Sequence, residues 1–180
     1  RLCRTLITER TPAGEHSVVC GALSLLAATL GKDALPDLMA ALDSEERAVR
    51  RTALKQMQPL PAEVVLPGLL ARLKSASPAL RADLLSALAD RGDASALPAI
   101  LDALQDADQS VRLAAVESAA RFGGERAVAA LLTALNTAPA EEAAAIQNAL
   151  LRQAGDAPLA AIAAALPKAT PAARVALLQV

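Results

Sequence analysis

Leucine and its apolar substitutes return along this chain at a fixed interval. The blocks "ALPDLMAAL" (34–42), "VLPGLLARL" (65–73), "ALPAILDAL" (96–104), "AVAALLTAL" (127–135) and "PLAAIAAAL" (158–166) each begin 31 residues after the one before. Within them Leu35, Leu66, Leu97, Val128 and Leu159 share one position. Leu38, Leu69, Ile100, Leu131 and Ile162 share a second, and Leu42, Leu73, Leu104, Leu135 and Leu166 a third. Separations of three and four residues put these positions on one face of a helix. Pro36, Pro67 and Pro98 fall in the predicted first turn, where a missing N–H costs nothing.

A second helix is predicted in every unit. Glu46, Ser77-Pro78, Asp108 and Thr170-Pro171 stand in register where an N-cap and a first-turn proline belong, with Pro139 the odd member. The apolar stripe of this helix runs Val49, Ala53, Leu54, Met57, then Leu80, Leu84, Leu85, Leu88, then Val111, Ala115, Val116, Ala119. Glycine ends it at Gly31, Gly92, Gly123-Gly124 and Gly155, whereas the unit 34–64 uses Pro59 and Pro61. The same spacing carried backwards gives a weaker unit, 3–33, with Val18, Ala22 and Leu26 as its stripe. The expected organisation is one repeat domain over 1–180, with units 3–33, 34–64, 65–95, 96–126, 127–157 and a truncated 158–180. Neither helix of a unit can bury its stripe alone, so neighbours must stack. The fold class is all-α, a right-handed α-solenoid of helix-turn-helix units.

Composition sharpens this picture. Hydrophobic residues make up 54% of the 180, ample for a core, while aromatic residues are 1%, with Phe122 alone and no Trp or Tyr. The core must therefore be filled by Leu, Ala, Val and Ile, and so much alanine favours helices at close approach. Formal charge is −1, from 18 basic and 19 acidic side chains, without the basic excess that phosphate neutralisation demands. The apolar run "HSVVCGALSLLAATLG" (16–31) falls short of the roughly 20 residues a membrane helix needs and reads as a buried helix; no membrane span is expected. Cys3 and Cys20 have neither disulfide-framework nor metal-site spacing and read as free thiols, although a bridge between two arms of one hairpin is geometrically open. A start at Arg1 and an end inside a helical pattern suggest a piece of a longer protein.

The stretch "ALPAILDALQDADQSVRLAAVESAARFGGERAV" resembles HEAT repeats, specifically the short class of about 31 residues named from phycobilisome lyases. The resemblance covers 34–180 well and 3–33 weakly. Tetratricopeptide and ankyrin arrays have longer periods, and their signature residues are absent. Arg50, Arg81, Arg112 and Arg174 form a row at one register, interrupted by Ala143. The row sits on the shoulder of the apolar stripe. The resemblance implies a structural role for it, bonding acidic or carbonyl groups of the inter-helix turns and bracing unit to unit. A catalytic residue has no reason to be copied three times.

Chemistry is sparse. His16 is the single histidine, so no two-histidine metal site and no histidine acid–base pair can be built; it reads as a solvated or capping residue. The HEAT-like lysine hydroxylase needs repeated His-Glu pairs for iron, and the HEAT-like alkylpurine glycosylases use aromatic side chains around the lesion; this chain has neither set. Glu45-Glu46 and Glu141-Glu142 occur at turns or helix starts, where they complement the helix dipole. Gly123-Gly124 lacks the preceding strand of a phosphate loop. No cofactor and no catalytic or metal-ligating residue is expected, and the protein reads as a non-enzyme.

The surface left for function is the strip opposite the stripe of the second helices, which by the resemblance lines the concave side. It comprises Cys20 and Ser24; Arg51 and Lys55, with Arg47 beside them; Ala82 and Ser86; Leu113 and Glu117; Ala144 and Asn148. Basic at one end and small or apolar further on, it suits a peptide or helix of a protein partner. The expected function is a protein-interaction scaffold. Two alternatives stand beside it: a tetrapyrrole lyase or chaperone-like role implied by the phycobilisome-lyase resemblance, and nucleic-acid binding through Arg47, Arg50, Arg51 and Lys55.

Overall fold

The computed structural model describes residues 16–152 and position 174. It is all-α, with no strand among the described residues. In chain order the helices are α1 (His16–Leu30), α2 (Leu35–Ala41), α3 (Arg47–Met57), α4 (Ala62–Leu73), α5 (Pro78–Arg91), α6 (Leu97–Asp102), α7 (Gln109–Phe122), α8 (Gly124–Leu135) and α9 (Ala140–Leu151). Short 3-10 turns at Gly31–Ala34 and Ala94–Ala96 lead into α2 and α6, and a third, Ala103–Gln105, follows α6. The chain forms two compact units, Arg1–Ala87 and Leu88–Val180, whose boundary falls inside α5.

In the first unit α1 and α3, the second helices of successive repeats, lie side by side, and α2 packs on its own partner α3. The second unit repeats the scheme: α7 lies against α9, α6 against α7, and α8 against both α7 and α9. Each stripe therefore faces its own repeat and the next, as in the α-solenoid class. Along α3 Val49, Ala53, Leu54 and Met57 are buried, and along α7 Val111, Ala115, Val116 and Ala119. The first-helix positions Leu38, Leu66, Leu69, Leu73, Leu97, Ile100, Leu104, Val128, Leu131 and Leu135 are buried as well, with Leu35 half-buried. Leu159, Ile162, Leu166, Gly155, Thr170, Pro171 and Cys3 lie outside the described residues.

Two expectations need correction. In α1 the stripe is Val19, Ala22, Leu23 and Leu26, whereas Val18 is 43% exposed. Counting in steps of four from Leu26 selects Val18; the helix buries its neighbour, because 3.6 residues per turn bring Val19 onto the side of Leu23 and Leu26. Pro67 is not in a first turn: α4 begins at Ala62, straight after Pro61, and Pro67 stands inside it. Gly31 and Gly92, both at positive φ, are followed by 3-10 turns that delay α2 and α6. α4 follows Pro61 with no such turn and starts about a turn earlier in the repeat, at the register α8 also takes after Gly123. Gly68 then faces α2, where the end of the Met39 side chain lies 2.9 Å from the site a Cβ would occupy.

Helix ends follow local chemistry. Asp108 caps α7 by accepting from the N–H groups of Ser110 (2.9 Å) and Val111 (3.3 Å). Gly123 ends α7 at φ 69 and Gly124 continues at φ 81, a left-handed pair that side-chain-bearing residues rarely adopt. One stretch, His16–Ala41, is long and apolar enough by length and composition to cross a membrane. It is divided by Gly31 (φ 55) and by exposed Lys32 and Asp33, and α1 buries its stripe against α3. Such a stretch is also what a core helix of this class looks like.

Leu23 is fully buried and Leu25, two residues on, is 56% exposed. Leu23→Ala should therefore cost about 2–5 kcal/mol of unfolding free energy in urea titrations, and Leu25→Ala under about 0.5 kcal/mol.

Candidate functional site

The arginine row builds a repeated clasp. In the first unit Arg50 is 7% exposed, carried by α3 one turn after the link from α2. Its Nη1 donates to the carbonyl oxygens of Ser44 (3.1 Å) and Glu45 (2.9 Å). Its Nε (3.2 Å) and Nη2 (2.9 Å) donate to Oδ2 of Asp83 on α5. In the second unit Arg112 Nη1 donates to the carbonyls of Asp106 (2.8 Å) and Ala107 (3.0 Å), while Nε (2.9 Å) and Nη2 (2.5 Å) meet the two carboxylate oxygens of Glu142 on α9. Arg81 Nη1 donates to the Ala76 carbonyl at 2.9 Å. Arg174 is helical and exposed. The planar guanidinium fork matches both partners at once, since one edge holds a turn's carbonyls while the other holds a carboxylate.

Asp83 and Glu142 are the two buried carboxylates among the described residues. The sequence pattern marks neither as an arginine partner. Glu142 reads with Glu141 as a helix-start acid; it does open α9, but its carboxyl is buried against Arg112. That hydrogen bond holds the Glu142 carboxyl below its ordinary value of 4.5, overcoming the upward push of burial. On the surface, Arg72 likewise lowers the Asp43 carboxyl through a two-pronged pairing.

The predicted strip divides between the units. In the first, Arg47, Arg51 and Lys55 are exposed on α3, and Ala82 and Ser86 are half-buried on α5. Cys20 and Ser24 are half-buried on α1, where Gln56 Nε2 donates to Ser24 Oγ (3.1 Å). In the second, Leu113 is half-buried and Glu117 exposed on α7, with Ala144 and Asn148 exposed on α9. Glu117 accepts from Arg152 Nη2 at 2.9 Å on both oxygens, a pairing that the repeat pattern does not disclose.

The basic patch expected for nucleic acid loses a member. Arg50 is buried and committed to Asp83, so Arg47, Arg51 and Lys55 alone face outward. His16, the first residue of α1, lies 3.7 Å from Glu46. Among the described residues no three His, Cys, Asp or Glu side chains gather as metal ligands. A cavity of about 360 Å³ opens beside the Arg112 clasp, floored by Leu104, Val116, Ala134 and Ile146.

Removing one member of a buried ion pair strands the other. Arg50→Ala should cost about 3 kcal/mol or more in urea unfolding, while Arg50→Met combined with Asp83→Leu should recover most of that loss. Because the folded-state pKa of Glu142 is depressed, its contribution is complete above the ordinary glutamate value and fades as pH falls through the folded value. Glu142→Gln should therefore be less stable than wild type at pH 7, with the gap closing below about pH 4.5, as read from urea midpoints across pH.

A search of curated proteins gives no match to the chain. Residues 66–151 match the family model described as HEAT repeats, which, with the helix pairs above, supports a HEAT-repeat protein.

Proposed function

We propose that this protein is a non-enzymatic protein-interaction scaffold whose second helices present the partner-binding surface. The observation that carries this reading is how side chains are used along those helices. The chemistry-bearing groups on their shoulders, Arg50 with Asp83 and Arg112 with Glu142, are committed to holding turns and neighbouring helices. The row Arg50, Arg81, Arg112 and Arg174 is accordingly structural, bracing repeat to repeat. What remains outward is Arg47, Arg51 and Lys55 beside Ala82 and Ser86 in the first unit, and Leu113, Glu117, Ala144 and Asn148 in the second. Such mixed, shallow surfaces bind polypeptide through distributed contacts, and HEAT repeats commonly serve that purpose.

The full chain, immobilised, should retain partner proteins from native extract that the Ala144→Glu variant loses, since an added carboxylate at an exposed small residue blocks close approach without entering the core. Lys74→Glu, at the link after α4, serves as the control and should retain them. Identical capture by wild type and Ala144→Glu would remove α9 from the binding surface.

A further inference from the structure

Resting on that scaffold reading, we infer that the outer face of α3 in the first unit is a docking site for an acidic partner segment, one whose carboxylates recur about every 6 Å, as on one face of a helix with an acid at every fourth residue. Arg47, Arg51 and Lys55 follow one another at that same four-residue interval and all three are exposed. Their counter-charge on α5 is small: one carboxylate, Asp83, meets Arg47 alone of the three. Asp83, the nearest carboxylate on α5, is buried and already shared by Arg50 and Arg47. The residues flanking the row, Cys20 and Ser24 on α1 and Ala82 and Ser86 on α5, are small and uncharged. Glu45 and Glu46 lie beyond the N-terminal end of the row, and Glu46 is near His16.

Arg47 is oriented in advance. Its side chain is 69% exposed, yet Nε donates to Oδ1 of Asp83 at 3.0 Å, which restrains the guanidinium while most of it stays in solvent. A restrained guanidinium binds a carboxylate with less ordering cost than a mobile one. Exposed Arg121 and Arg152 are instead turned onto Asp90 and Glu117, and half-buried Arg72 onto Asp43. Arg51 and Lys55 carry no ion pair among the described residues. Three cations without an aromatic platform give a duplex few phosphate contacts and no stacking, so charge complementarity favours an acidic polypeptide over nucleic acid.

The test titrates the full chain into a fluorescent, alanine-based helical peptide bearing three glutamates at every fourth position, with anisotropy read at low and at about 0.5 M salt, where screening is severe. Binding at low salt should weaken at least tenfold in Arg51→Glu/Lys55→Glu and should fall with salt; both residues are exposed, and circular dichroism checks folding. Arg47→Lys, which keeps the charge but loses the Nε bond, should weaken binding by about two- to threefold. A peptide of the same composition with its glutamates scattered around the helix should bind less well. Absent binding, or binding unchanged by the double reversal, overturns the inference. Tighter binding to a 20-base-pair duplex, abolished by the same reversal, overturns it in favour of a phosphate backbone. Native partners lost by Ala144→Glu but kept by Arg51→Glu/Lys55→Glu would leave the scaffold standing and remove the acidic-partner site.

Discussion

The structure depends on a deficit: a helix pair of this size has more apolar surface than it can cover by itself. The second helices, α3 and α7, each bury a stripe that their own first helix meets only in part, and the remainder is closed by the second helix of an adjoining repeat, α1 against α3 and α7 against α9. Burial of this kind is worth roughly 1.5–3 kcal/mol per large side chain, which makes stacking the dominant favourable term. Alanine is as necessary to it as leucine. Ala53, Ala115 and Ala119 are fully buried, and larger residues there would hold neighbouring helices apart.

Stacking by itself is tolerant of sliding, because leucine meets leucine about equally well one turn along. The arginine clasps supply direction. Each ties two backbone carbonyls of one turn to a carboxylate on a neighbouring second helix, and the separations, 33 residues for Arg50 and Asp83 and 30 for Arg112 and Glu142, straddle one repeat. Surface pairs span similar intervals: 29 residues for Arg72 and Asp43, 31 for Arg121 and Asp90. A carboxylate left without its arginine costs far more than the pair contributes, so misalignment is penalised more steeply than alignment is rewarded.

That asymmetry explains what the sequence disclosed. Stripes, caps and glycine stops recur at a constant interval, so aligning the chain with itself exposes them, and the arginine row appears by the same means. Its carboxylate partners do not. Asp83 stands two residues after the row's position in its helix and Glu142 one residue before, so no single offset finds both. The misplaced Val18 and Pro67 have the same origin: a whole-number interval fails where helical pitch, or a helix that starts without a preceding 3-10 turn, shifts the frame. The strip was legible as positions, but its pairing was not, since Glu117, held by Arg152, looks like any other charged residue in the sequence.

The turn built on Pro59 and Pro61 has a consequence of its own. Where Gly92 or Gly123-Gly124 reverses the chain, the unstructured polypeptide wanders freely and that freedom must be surrendered on ordering. A proline-bracketed reversal surrenders less, since ring closure has already narrowed the accessible conformers. The junction between α3 and α4 is thus less demanding to organise than the turns at Gly92 and Gly123-Gly124.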